Sequence, residues 1–78
     1  MKLEIITPSN TLFTGDVTLV QLPGMDGLFE ILKSHAPLVS ALKEGRVKVV
    51  DDQDQTQFFD IRGGVVEVSH DKVLVLAE

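Results

Sequence analysis

The sequence predicts an all-β fold, an antiparallel sandwich or flattened barrel. Three observations carry this. Turn signals recur every six to ten residues. No helical period persists over a useful window. The intervals between turns are short runs rich in Val, Ile, Leu and Phe, the residues that suit a pleated sheet. A sandwich or barrel answers that pattern.

The strands follow in order. Leu3-Glu4-Ile5-Ile6-Thr7 is β-rich and stops at Pro8, which cannot continue a central ladder. Ser9-Asn10-Thr11 is turn chemistry. Leu12-Phe13-Thr14 reads as a short strand closed by Gly15-Asp16. Val17 to Leu22 is a further run, with Leu19 and Val20 side by side against the alternation. Pro23-Gly24 ends it, and Asp26-Gly27 favours a tight turn. Phe29 and Ile31 then alternate with Leu28 and Glu30, so one pair looks inward and the other faces out.

Ser34 to Lys43 is the one stretch with room for a helix. Pro37 argues against its first half, because the residue before proline is pushed out of the α region. Leu38 to Leu42 is too short to stand as a helix and reads as extended, with at most one helical turn. After Glu44-Gly45, Val47 and Val49 share one face and Arg46 and Lys48 the other, the pattern of a half-buried strand. Asp51 to Gln55 reads as a solvated hairpin loop, and Gln57 to Arg62 as the returning strand. Gly63-Gly64 marks a bulge, or a corner where another backbone comes close. Val65 to Val68, the turn Ser69-His70-Asp71 and Lys72 to Leu76 complete the chain.

Seventy-eight residues make one domain, here residues 1–78, with no internal repeat and no linker. A chain this short hides only about 60% of its unfolded surface and folds with a thin margin. The net charge of −5 disfavours nucleic acid and anionic membrane as direct partners, since both need a basic patch. No apolar run approaches the roughly 20 residues that span a bilayer. Met1-Lys2-Leu3 leads straight into a strand, so no targeting peptide is expected.

Catalysis finds little to work with. Cysteine is absent, which removes disulfides, thiolate metal sites and thiol nucleophiles. His35 and His70 are the only bases near neutral pH, and neither sits in a triad pattern. The carboxylates lack metal-ligand spacing, and the Asp51-Asp52-Gln53-Asp54 run lacks the glycine turn and distal glutamate of a calcium loop. No glycine-rich loop opens a helix for phosphate. No cofactor is expected. Two readings remain. One is a carrier domain of lipoyl or biotinyl type modified on Lys72, although only six residues follow that lysine where such domains place it mid-chain. The other is an interaction module whose surface is the loop-rich segment Leu22 to Leu42, where Met25, Leu28, Leu38 and Leu42 are candidate exposed apolar residues.

The second reading gains from a family resemblance. The carrying residues are Leu12-Phe13-Thr14-Gly15-Asp16-Val17, Leu22-Pro23-Gly24-Met25-Asp26-Gly27, His35-Ala36-Pro37-Leu38, Ala41-Leu42-Lys43-Glu44-Gly45, Gly63-Gly64-Val65-Val66-Glu67-Val68 and Val73-Leu74-Val75-Leu76-Ala77. In this order and spacing they resemble the N-terminal β-sandwich domain of the epsilon subunit of the bacterial F-type ATP synthase. The resemblance implies a ten-stranded sandwich at the foot of the rotating central stalk, peripheral on the cytoplasmic face of the bacterial inner membrane. It would be non-catalytic and touch the membrane only through the complex. One side would grip the gamma subunit, and one end would rest on the ring of c subunits, coupling proton-driven rotation to ATP synthesis.

Carried over residue by residue, the ring contact falls on Met25, Asp26, Leu28 and Glu30, and the gamma contact on His35, Leu38 and Leu42. Two departures stand out. Relatives often carry an acidic residue at Leu28 and glycine at Glu30, so here the charge has moved two places and kept its strand face. Lys33-Ser34 replaces a frequent Pro-Gly ahead of His35. Many relatives continue into a helical hairpin that inhibits hydrolysis. Residues 1–78 are expected to correspond to the β-sandwich domain alone, the form lacking that hairpin.

Overall fold

The computed structural model describes all 78 residues as eight strands joined by turns, without a helix. They are β1 (Lys2–Ile6), β2 (Thr11–Gly24), β3 (Gly27–Leu32), β4 (Leu38–Leu42), β5 (Gly45–Asp51), β6 (Thr56–Ile61), β7 (Gly64–Ser69) and β8 (Lys72–Ala77). The all-β expectation holds, and the Ser34 to Lys43 stretch is extended.

The count is eight, not ten. Ten is the number the resemblance implies; the residues themselves read as nine runs, and two of those join as β2, a single strand of 14 residues. Gly15 and Asp16 do not break it, because they pair with Leu3 and Lys2 of β1. The first part of β2 pairs with β1, and the second part pairs with β3 and β5. Between them the register with β5 slips from Val17 to Leu19. Such a bulge bends a strand and resets its alternation. Val17 points into the core before it, Val20 and Leu22 after it. The adjacent Leu19-Val20 pair in the sequence is the trace of that reset.

The pairing is also not wholly antiparallel. β1 and β8 run parallel, Lys2 beside Lys72 and Ile6 beside Leu76. The strands follow the path β1-β8-β7-β4-β2-β5-β6, with β3 on β2 and β1 also pairing with β2. The circuit β2-β1-β8-β7-β4 therefore closes on itself through a single bridge, Gly24 to Leu42. The other side of the sandwich is β3, the second part of β2, β5 and β6.

Between the layers lies one core of fifteen apolar residues, including Leu3, Ile5, Leu22, Ile31, Val47 and Val75. No charged or polar side chain is buried with them. Phe13 of β2 and Phe59 of β6 close one margin edge to face, ring centres 5.8 Å apart. The three tightest turns rest on positive φ: Gly27 (128°) after the β2–β3 turn, Asp54 (58°) between β5 and β6, and His70 (49°) between β7 and β8. In the second of these the Asp51 carboxylate accepts hydrogen bonds from the N–H groups of Gln53 and Gln55, at 2.8 and 2.9 Å. The acidic run is the exposed hairpin loop the sequence predicts.

Candidate functional site

The β2–β3 hairpin is the most exposed apolar feature, and its base is tightly held. Pro23 lies against Gly45, where an added methyl would meet the proline Cβ at 2.7 Å. The Pro23 carbonyl accepts a 2.9 Å hydrogen bond from the Lys43 N–H. Gly24 pairs with Gly27 across the turn and with Leu42 of β4. Beyond this base the chain turns in two residues, Met25 and Asp26. Met25 is 62% exposed and Leu28 66%. Strand alternation puts Leu28 and Glu30 on the outer face while Phe29 and Ile31 pack inward. Glu30 accepts a 3.2 Å hydrogen bond from the Gln21 side-chain amide. The four sequence-predicted ring-contact residues thus lie together on one exposed ribbon.

A fifth residue joins them. Val39 of β4 is 70% exposed and lines one shallow depression with Met25 and Leu28, floored by Gly24 and Phe29. Sequence reasoning missed it. Leu38, Val39, Ala41 and Leu42 are all apolar, so the run does not say which parity faces out. Pairing with β7 decides it: Val39 and Ala41 point outward, while Leu38 packs against the core and Leu42 lies in it.

That corrects one of the three gamma-contact candidates. Leu42 is only 4% exposed, so its role is to anchor the hairpin base, not to meet a partner. Leu38 and His35 are half-buried. The His35 N–H donates to the Leu32 carbonyl at 3.2 Å, and its ring Nδ1 lies 2.7 Å from the Ala36 carbonyl. Just before it, Ser34 takes φ 67°, the left-handed conformation that favours glycine. The Lys33-Ser34 substitution has kept a glycine-type turn.

Register reveals a further apolar surface. Ala41 of β4, Val65 of β7, Leu76 of β8 and Ile6 of β1 stand in one row across four strands, on the outward side of the sheet. The next row is Val39, Glu67, Leu74 and Glu4. Lys72, the carrier-type candidate, is the first residue of β8, its Nζ 3.9 Å from the Glu4 carboxylate. It is not held free at a hairpin tip. No three of the His, Asp and Glu side chains converge as metal ligands. This face carries apolar side chains edged by the carboxylates Glu67 and Glu4.

Comparison with known proteins agrees with this geometry. The family model for the β-sandwich domain of the ATP synthase delta/epsilon chain matches residues 1–78. The chain is 48% identical over 77 residues to an ATP synthase epsilon chain of Chlorobium limicola, covering 99% of this chain and 88% of that one. It is 40% identical over 78 residues to the ATP synthase epsilon chain of Caulobacter vibrioides, covering 100% and 90%. Among solved structures, the fold matches a chain of the Euglena gracilis mitochondrial ATP synthase, solved with its c-ring, at a TM-score of 0.90 and 18% identity. That match covers 96% of this chain and 48% of the other, so the chain spans about half the length of its solved counterpart. With a family model over its full length and relatives this similar over nearly all of theirs, the chain belongs to the ATP synthase delta/epsilon family, as its β-sandwich domain.

Proposed function

We propose that this domain is the non-catalytic coupling foot of the rotor in an F-type ATP synthase, peripheral on the cytoplasmic face of the bacterial inner membrane as part of that complex. The hairpin ribbon, Met25, Asp26, Leu28 and Glu30 with Val39 beside them, rests on the c-ring. His35, Leu38 and the outward row Ala41, Val65, Leu76 and Ile6 meet the gamma subunit. Proton flow turns the ring, and the foot keeps ring and gamma turning together.

The single observation that carries this reading is the exposed β2–β3 ribbon on a clamped base, in a chain of this family. Torque transmission needs a stiff body and a sticky surface. A close-packed interior resists deformation and passes strain on. The net charge of −5 would complement basic loops on the ring, and such complementarity chiefly guides assembly. Nothing on the surface needs to make or break a bond. The family assignment also replaces the carrier reading of Lys72.

The experiment is reconstitution. Mixed with purified gamma subunit, the domain should co-elute as a stoichiometric complex on gel filtration, and that complex should bind detergent-solubilised c-ring. Two separate peaks at micromolar concentration would overturn the gamma assignment. A gamma complex that ignores the ring would overturn the hairpin assignment.

A further inference from the structure

One polar row crosses the outer face of the layer formed by β3, β2 and β5, and from it we propose that Gln21 is a positioning residue for the ring contact. It holds the Glu30 carboxylate in place and keeps Lys48 from neutralising it, so that Glu30 is left to meet a cationic side chain of the c-ring. This role rests on the ring reading given above, and it gives that contact its chemistry.

The row follows from register. Gln21 of β2 lies opposite Glu30 of β3 on one side and opposite Lys48 of β5 on the other. Its chain neighbours Val20 and Leu22 are buried in the core, so Gln21 faces outward. Glu30 and Lys48 face the same way, the first beside the buried Ile31 and the second between the buried Val47 and Val49. The rows on either side are apolar: Leu32, Leu19 and Val50 on one, Leu28 and Pro23 on the other. A half-buried glutamine in the middle of this strand is thus an exception to its surroundings. β-Branched and aromatic side chains suit such a position better.

What the glutamine supplies is a neutral amide between two opposite charges. Its Nε2 donates to the Glu30 carboxylate at 3.2 Å. Neighbouring strands stand about 4.8 Å apart, so the backbones of Glu30 and Lys48 are about 10 Å apart across Gln21. Two long side chains leaning towards each other close that gap, and a short apolar residue at position 21 would not stand in their way. With Gln21 in place, neither Glu30 nor Lys48 enters an ion pair. Arg46, also on β5, is taken up by Asp60 at 3.4 Å and lies over the Phe58 ring. Glu30 therefore keeps its charge uncompensated, on the same strand face as the exposed Leu28. A held carboxylate beside an exposed leucine fits a partner loop that offers a cation next to an apolar side chain.

The test is binding of the full chain, in complex with gamma, to detergent-solubilised c-ring at about 50 and about 300 mM salt, a span over which exposed charges become screened. Gln21→Val suits the strand but cannot bond Glu30. It should weaken ring binding about threefold at the lower salt, the scale of one exposed ion pair, and most of the parent's salt dependence should disappear. Adding Lys48→Gln removes the competing cation and should restore most of the affinity. Gln21→Lys sets a cation directly opposite Glu30 and should weaken binding at least as far. Gamma binding should hold throughout, and a purely structural role for Gln21 would show no rescue by Lys48→Gln. Ring binding by Gln21→Val equal to the parent's, or a loss that Lys48→Gln does not restore, would overturn the proposal. Leu28→Lys separates that failure from failure of the ring reading. If Leu28→Lys loses the ring, only the role of Gln21 falls; if it binds the ring as the parent does, both fall.

Discussion

Gly24 lies against the ring of Phe29: a methyl on Gly24 would fall 2.8 Å from two ring carbons and 2.9 Å from the Gly27 carbonyl oxygen. Both neighbours belong to the hairpin that Gly24 begins, so the contact sets how that hairpin stands on the sandwich. Gly24→Ala should cost about 1–3 kcal/mol by overpacking and should tilt the Met25–Asp26 tip. Thermal melting measures the first effect. Ring binding, expected to fall while gamma binding holds, measures the second.

Gly64 is under a stronger constraint. Its φ is 143°, and a Cβ there would overlap the Leu76 carbonyl oxygen and come within 3.0 Å of the Ala77 Cα. Both obstacles are backbone and cannot swing aside. Gly64→Ala should cost about 3 kcal/mol or more, adding backbone strain to overpacking. In a domain of this size that is much of the total stability. Urea titration of the variant should show a midpoint far below the parent's or no folded baseline at all.

Leu28→Lys and Glu30→Lys place a cation on the exposed face of the ribbon. Away from the core, each should change stability by no more than about 0.5 kcal/mol. Each should weaken ring binding. If both bind the ring as the parent does, the ribbon is not the ring contact.

Val65→Asp tests the outward row in the same way. Val65 faces Leu76 on one side and Ala41 on the other, so the carboxylate would sit in the middle of the apolar strip. The domain should stay folded, and affinity for gamma should fall by about tenfold or more, equivalent to roughly 1.4 kcal/mol. Leu42→Ala is the contrasting case. It removes core volume, so it should cost about 2–5 kcal/mol of stability.

Ser34→Gly should do the opposite and stabilise. Ser34 holds φ 67°, which costs a residue with a Cβ roughly 1–2 kcal/mol, while glycine gives back about 0.5–1 kcal/mol in chain entropy. A gain of a few tenths to 1 kcal/mol is expected, read as a higher melting temperature.

Most of the strand runs, the absence of a helix between Ser34 and Lys43, a tight turn at Asp26-Gly27, one residue from the observed Met25–Asp26, and a bulge or close backbone approach at Gly63-Gly64 were legible in residue order, because alternation, proline and glycine act locally. That Met25 and Leu28 stand exposed was legible too, since they lie at a turn; their assignment to the ring came from the family resemblance. What residue order left open was parity and continuity. Nothing local says that Gly15-Asp16 carries β2 onward, because what holds it extended is Leu3 and Lys2 of a different strand. Nothing local separates Val39 from Leu42, because both are apolar and only the β7 partner chooses the inward side. Composition and spacing therefore determined the all-β class and, to within one residue, the place of its most exposed turn. Tertiary pairing alone decided the strand count, the buried Leu42 and the row from Ala41 to Ile6, because register is a relation between strands far apart in the chain.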